Sequence, residues 1–431
     1  MQLPSIAFLY EIFEKHPSVQ TDTRKLQLGD LYFALKGPNF NGNTFAMAAL
    51  EAGASYAIVD EDIPYSQAID NRILRVDDVL TTLQALAKHH RQQFNIPFVA
   101  ITGSNGKTTT KELVSTVLAS HYKTYTTKGN LNNHIGVPLT ILSVGKDAEM
   151  AVIEMGANHQ KEIESYCAYT LPTHGMITNC GKAHLEGFGG EAGVRKGKGE
   201  LFDSLRNNNG IAFIMSDYDY LNEMSKGIHE VITYGAHSGQ IQATAIDHNG
   251  MLSVQGTKGF DERIDTQLVG TYNLPNILAA ISIGQYFKVP MSKIKSAIES
   301  YTPTNSRSQL MHWHNNQIIL DAYNANPSSM KLAVENFAKI ASAEKIMCLG
   351  GMKELGEESL LEHQALINYI QTFNWEQVVL VGGDFNQCQH DYLYFENAKE
   401  AGKWLKAQNY QQKHILIKGS RGIQMEQMIA D

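Results

Sequence analysis

Gly103-Ser104-Asn105-Gly106-Lys107-Thr108-Thr109-Thr110 stands between an apolar run, FVAITG, and a stretch with helical spacing, KELVSTVLASHY. Strand, glycine-rich turn and helix in that order make an anion site. The glycines let backbone fold closely round phosphate oxygens, and the helix start presents free N–H groups and a partial positive charge. Lys107 can neutralise β- and γ-phosphates, and the Thr108 hydroxyl can bind Mg²⁺. The common GxxxxGK[ST] loop would need glycine at position 101, where Ile101 stands. The spacing is the shorter GxxGKT, which is not that of a general kinase or GTPase.

Other candidates lie at the ends of apolar runs. Glu154 ends AVIEMG, where a parallel strand beside a phosphate loop would place a Mg²⁺ ligand. Taken alone it reads as a cap or surface group. His184, in NCGKAHLEGFGG, is either structural or a metal ligand on an open glycine loop. Arg195, Lys196 and Lys198 in GVRKGKGELF read as a solvated basic face or as site cations. Asn273 and Asn276 stand three apart at a helix start, able to cap it or to meet a base. Asp321, Asn324 and Asn326 follow a strand and precede Pro327, which is turn chemistry first. Asp321 could also bind a ribose or position a lysine. Lys418 and Arg421 in LIKGSRG suit carboxylate or phosphate capture, or an ordinary surface loop.

The elements that must position these residues read as α/β throughout. The chain has 431 residues, which at roughly 150 per domain suggests about three domains. The first runs over 1–90, mixed α and β. A central unit over 91–303 alternates short apolar strands with helices, the pattern of a largely parallel sheet. The apolar pattern breaks at TPTNSRSQ, taken as a linker, and a smaller α/β unit fills 304–431. Net charge is −8 and 43% of residues are apolar, which excludes extended disorder and argues against a dedicated nucleic-acid binder. Four scattered cysteines without a CxxC pair argue against a disulfide scaffold or structural zinc. The N-terminus lacks a signal peptide's basic region, and no run approaches the ~20 apolar residues that span a bilayer. The cytoplasm is the expected location, without membrane insertion, and a monomer the expected state.

Together TGSNGKTTTKE, GNLNNHIGVPLTIL, EMGANHQKEIE, AHLEGFGG, GTYNLPNILAA, DAYNANPSSM and KGSRG resemble, in order and over nearly the whole chain, the Mur ligases of peptidoglycan synthesis. DAYNANPSSM, LGGMKELGEES and LIKGSRG are similar to the branch that joins D-alanyl-D-alanine to UDP-N-acetylmuramoyl-tripeptide. The resemblance implies three domains: an N-terminal UDP-sugar-binding α/β domain, a central P-loop ATPase and a C-terminal Rossmann-like α/β domain. It implies ATP-driven amide formation through an acyl phosphate, with Mg²⁺. Gly103, Ser104, Asn105, Gly106, Lys107, Thr108 and Thr109 would hold the ATP phosphates, with Thr108 on the first Mg²⁺. Glu154, His184 and Lys198 would surround a second metal, Lys198 carbamylated by CO₂. Asn273 and Asn276 match an adenine-contact region, Arg307 a linker arginine that approaches the phosphates, and Asp321 a residue near the nucleotide. Thr23, Arg24, Lys36, Asn41 and Gly42 match the UDP-sugar region. Asn132, Asn133, Asn324 and Asn326 would meet substrate, and Lys418 and Arg421 the dipeptide carboxylate. Two positions depart from the family: NNHIGVP has His134 for glutamate, and LGGM has Gly351 for aspartate. A sibling ligase that adds one amino acid would be expected to show a DYAHTP-like motif. A folylpolyglutamate synthase-like ligase would share the ATPase logic, but TDTR and ALKG favour a UDP-sugar.

Overall fold

A computed structural model describes residues 3–63, 71–248, 251–303, 306–342 and 344–430. Residues 304–305 of the expected linker lie outside the described residues. Three main sheets organise the chain. One has four strands, in the order Val19–Gln20, Leu31–Phe33, Tyr56–Val59, Ile73–Arg75, all parallel. A nine-stranded sheet runs Arg263–Val269, Met251–Lys258, Ile241–His248, Glu230–Gly235, Ile211–Met215, His174–Ile177, Phe98–Thr102, Met150–Glu154, Thr124–Thr126. A six-stranded sheet runs Gln309–Trp313, Asn316–Asp321, His414–Lys418, Lys345–Gly350, Gln377–Val381, Leu393–Phe395. Strands FVAIT and MAVIE are buried along their whole length, as strands covered on both faces must be.

By packing, the chain groups into two compact units. The first contains Met1–Ala100, Tyr122–Gly156 and Glu162–His174. Its N-terminal core gathers Tyr32, Ala34, Ala46, Ala49, Leu50, Ala57 and Val59. Helix Val79–Arg91 packs onto later parts of this unit. Asp78 caps its start, accepting from Thr81 N at 2.6 Å, and Val79, Leu83, Leu86 and Ala87 form one buried stripe. The helix packs against helices Gly136–Leu142 and Glu162–Thr170. Its last residue, Arg91, is buried with its guanidinium on the carbonyls of Thr170 (2.9 Å), Leu171 (3.0 Å) and Phe94 (2.9 Å), and over the Phe98 ring at 3.9 Å. It satisfies carbonyls that the end of helix Glu162–Thr170 would otherwise leave open.

The second unit contains Ile101–His121, Ala157–Lys161 and Gly175–Asp431. Helix Leu274–Tyr286 is apolar on nearly every face, from Leu274 to Gly284, because helix Lys107–Ala119 and strands 211–248 enclose it. Strands Ile241–His248, Met251–Lys258 and Arg263–Val269 form an antiparallel meander that the sequence pattern does not announce. The six-stranded sheet is parallel except for its edge strand Gln309–Trp313. Its core includes Ile318, Ile346, Val379, Ile415 and Leu405. No described helix is long and apolar enough to cross a membrane.

Candidate active site

The phosphate loop lies in the second unit, where strand Phe98–Thr102 gives way to helix Lys107–Ala119. Two glycines are required by geometry. Gly103 has φ +140°, and a Cβ there would lie 2.0 Å from Thr178 Oγ1. Gly106 is left-handed at φ +79°, and its Cβ would meet Asn276 Oδ1 at 2.7 Å. Lys107 folds back, donating to Gly103 O at 2.6 Å and Ser104 O at 3.2 Å. The Thr108 side chain is buried in the first helical turn.

The loop after strand His174–Ile177 braces it. Thr178 Oγ1 donates to Asn105 O (2.6 Å). Asn179 uses both ends of its amide, Oδ1 accepting from Asn105 N (3.1 Å) and Nδ2 donating to Asn105 O (3.1 Å). Ser104 Oγ donates to Gly181 O at 2.8 Å. Sequence reasoning missed Thr178 and Asn179, although TNC directly precedes the GKAH stretch that holds His184.

Lys198, on helix Glu191–Asn207, is 1% exposed. Its Nζ donates to Ala157 O at 2.9 Å and lies 4.7 Å over the Phe188 ring. Nearby, Arg195 lies over Tyr220, whose hydroxyl accepts from Cys180 N at 3.1 Å. Burial pushes the Cys180 thiol up to about 11, so it stays protonated and inert. His184 is left-handed at φ 52°, and its Nδ1 contacts the Glu354 carboxylate. That contact holds Glu354 below the usual carboxylate range. Lys182 donates to Glu362 Oε1 at 2.6 Å, which raises its ammonium above the usual lysine range. Among the described residues, no three His, Cys, Asp or Glu side chains gather to hold an ion on their own.

Several expected contact residues spend their polar atoms inside the protein. Asn273 and Asn276 are buried. Asn273 Nδ2 donates to Val269 O (2.9 Å), Asn276 Nδ2 to Asn273 Oδ1 (2.8 Å), and Thr110 Oγ1 to Asn276 Oδ1 (3.0 Å). Asn276 thus fastens the phosphate-loop helix to the start of helix Leu274–Tyr286. Lys418 is also buried. It donates to Asp321 Oδ2 at 2.5 Å and Asn324 O at 3.3 Å. Arg421 is exposed and paired with Glu426 at 2.9 Å. Asp321 also accepts from Ser308 N at 3.2 Å. Arg307 lies over Tyr323, its Cζ 3.5 Å from the ring centroid. Asn324 turns back to accept from Ala325 N, and Asn326 caps helix Pro327–Lys339 while reaching Asn105. At Gly351 a Cβ would lie 2.5 Å from Gly383 Cα, so the family's aspartate has no room there.

In the first unit, Glu154 ends its strand with its N–H on Thr127 Oγ1 (2.9 Å) and Oε1 on Asn132 Nδ2 (2.7 Å). Asn132 thus orients Glu154. Asn133 Oδ1 accepts from Ile135 N and Gly136 N, opening the next helix. The His134 side chain is exposed, and Gln84 holds only its backbone carbonyl (3.1 Å). The exchange of glutamate for histidine leaves that anchor intact. Thr23 begins a 3₁₀ turn, and Arg24 is exposed in a two-bond pair with Asp22. Lys36 pairs with Asp60 (3.0 Å) and Glu61 (3.3 Å), and Asn41 Nδ2 with Glu61 Oε2 (2.8 Å). Burial opposes ionisation of Asp60, but bonds from Asn43 and Lys36 hold its carboxyl below the usual range. Gly42 packs where a Cβ would lie 2.6 Å from Leu35 O.

Comparisons with known proteins cover this whole arrangement. Family models match in three consecutive stretches: the Mur ligase family, catalytic domain over 17–91; the Mur ligase middle domain over 101–284; and the Mur ligase, glutamate ligase domain over 306–421. The UDP-N-acetylmuramoyl-tripeptide–D-alanyl-D-alanine ligase of Bacillus subtilis is 31% identical over 96% of this chain and 92% of its own length. The crystal structure of MurF from Acinetobacter baumannii superposes with a TM-score of 0.87 at 30% identity, covering 96% of this chain and 92% of that one. MurF ligase from Thermotoga maritima, in complex with ADP, gives 0.85 at 25%, covering 95% and 96%. The chain belongs to the Mur ligase family.

Proposed function

We propose that this chain joins D-alanyl-D-alanine to UDP-N-acetylmuramoyl-tripeptide, driven by ATP, in the cytoplasmic synthesis of peptidoglycan precursors. The observation that carries it is near full-length similarity to ligases of that name, with DAYNANPSSM in place and the phosphate loop intact.

The chemistry follows from the poor reactivity of a carboxylate. A tripeptide carboxylate oxygen attacks the γ-phosphorus, the bond to ADP breaks, and an acyl phosphate forms. The dipeptide amine then attacks the acyl carbon and loses a proton. The tetrahedral intermediate expels phosphate, leaving the amide. Two anions meet in the first step, so the loop N–H groups and Lys107 must screen them. Lys107 would exchange its present carbonyl partners for phosphate oxygens.

This reading includes Mg²⁺. Thr108 and Glu154 offer hard oxygen donors, and Mg²⁺ keeps several waters and phosphate oxygens besides. Protonated Lys198 would repel the ion, whereas a carbamate on its Nζ would be an anionic oxygen ligand. The family resemblance implies that Lys198 carries this carbamate and that Glu154 and His184 are further ligands. When bound, Mg²⁺ supplies charge neutralisation at the transferred phosphoryl group. Arg307 approaches the phosphates, and Asp321 holds Lys418 in place. Thr23, Arg24, Lys36, Asn41 and Gly42 serve the UDP-sugar, and the working form is a monomer.

The test is phosphate release with ATP and Mg²⁺, supplying UDP-N-acetylmuramoyl-tripeptide with and without D-alanyl-D-alanine. Release that needs both, with a product heavier by the dipeptide residue, is expected. Release with one amino acid and a shorter UDP-peptide would assign a sibling reaction instead.

A further inference from the structure

Asn326 occupies the N-cap of helix Pro327–Lys339. Its Oδ1 accepts from Ser329 N at 2.9 Å, and Ser329 Oγ accepts from Asn326 N at 3.1 Å, a complete capping box. The same side chain has a second partner, because Nδ2 donates to Asn105 Oδ1 at 2.7 Å. Two residues on, Ser328 Oγ accepts from Lys182 N at 3.1 Å and packs against Gly181, where a Cβ would stand 3.0 Å from it. One helical turn beside the six-stranded sheet thus touches both the phosphate loop and the loop that braces it.

The Asn105 backbone is already fixed by Asn179 and Thr178. Its side chain is held from elsewhere, by Asn326. Capping needs only an acceptor at 326, and Asp or Ser would cap about as well. Reaching Asn105 Oδ1 needs a donor on a side chain of this length, which an amide supplies and the cap alone does not require.

We infer that Asn326 is a positioning residue that fixes Asn105, and through it the nucleotide-holding shape of the phosphate loop, when the C-terminal segment is docked. The inference rests on the reading of 103–110 as the nucleotide site. Grip on ATP then depends on a residue more than two hundred positions away that carries no charge.

Asn326→Ser and Asn326→Asp both keep a capping oxygen. The serine is too short for Asn105, and the aspartate turns an oxygen towards an oxygen. Calorimetric titration of the full chain with ATP and Mg²⁺ would give Kd, alongside Tm, KM and kcat. Loss of one uncharged hydrogen bond should weaken ATP ~3–10-fold in Asn326→Ser, and by more in Asn326→Asp, with Tm held within about 2 °C. Adding Asn326→Ser to Asn105→Ala should cost little more than Asn105→Ala alone. Unchanged ATP affinity in both variants, multiplying effects in the double variant, or a large Tm loss in both would overturn the inference. Failure of the unaltered chain to bind ATP would instead overturn the nucleotide-site reading.

Discussion

Asp321 and Lys418 face each other at the ends of paired parallel strands, and their removal should have unequal costs. Lys418 Nζ stands 2.5 Å from Asp321 Oδ2, with side-chain exposures of 3% for the lysine and 16% for the aspartate. Asp321→Ala leaves a buried ammonium with only Asn324 O, at 3.3 Å, to replace its counter-ion. Stranding a buried charge costs about 3–5 kcal/mol. Lys418→Met leaves the aspartate partly in water and still accepting from Ser308 N, so its cost should be about 1–3 kcal/mol. The double variant strands nothing and should lie well below the sum. At about 2–4 °C per kcal/mol for a unit of 150–250 residues, Asp321→Ala should lower Tm by roughly 10 °C and Lys418→Met by about half that. Differential scanning calorimetry of the three variants, with near-ultraviolet circular dichroism to follow the C-terminal aromatics, reads this directly. A larger drop for Lys418→Met than for Asp321→Ala, or a double variant equal to the sum, would refute the reasoning.

Burial pushes the His174 imidazole down to about 4, so the folded chain holds it neutral. The unfolded chain binds that proton below about 6.5, so stability must fall as pH drops from about 6.5 to about 4, by about 3 kcal/mol in all. The Tm advantage of the unaltered chain over His174→Gln should therefore shrink between pH 7 and pH 4.5, and a constant gap would count against it. Gly351→Asp, which restores the family residue, should cost about 1–3 kcal/mol because its Cβ meets the Gly383 backbone; an unchanged Tm would mean that loop yields freely. Arg307→Ala should lower kcat by more than it raises the KM for ATP, and equal turnover would remove its place beside the phosphates.

The sequence disclosed what is local. Strand, glycines, lysine and helix are contiguous from Phe98 to Ala119, so pattern alone located the phosphate loop. Partners brought together by folding were not legible. Thr110 meets Asn276, and Asn105 meets Asn326, across separations that no periodicity reports. Types and spacing at Asn273 and Asn276 allowed either a helix cap or a base contact, and the partners their amides find in the fold, Val269 O and Asn273 Oδ1, were not legible. The antiparallel strands Ile241–His248, Met251–Lys258 and Arg263–Val269 escaped because solvent-facing alternation, as in RIDTQLV, lacks the continuous apolar run that marks a strand buried on both faces. The bond from Arg91 to Thr170 O was equally hidden, because its partners lie far apart in sequence.

That arginine also governs how the chain can be dissected. A fragment ended near residue 91 would seem to follow a natural seam, yet it would bare Leu83, Leu86 and Ala87 along a whole helix and discard the carbonyls that make a buried guanidinium tolerable. The opposite fragment would hold a helix whose terminal oxygens had lost their donor. A shorter soluble piece of the N-terminal part must carry the stretch to His174 with it, or replace Arg91 and the stripe beside it with residues content in water.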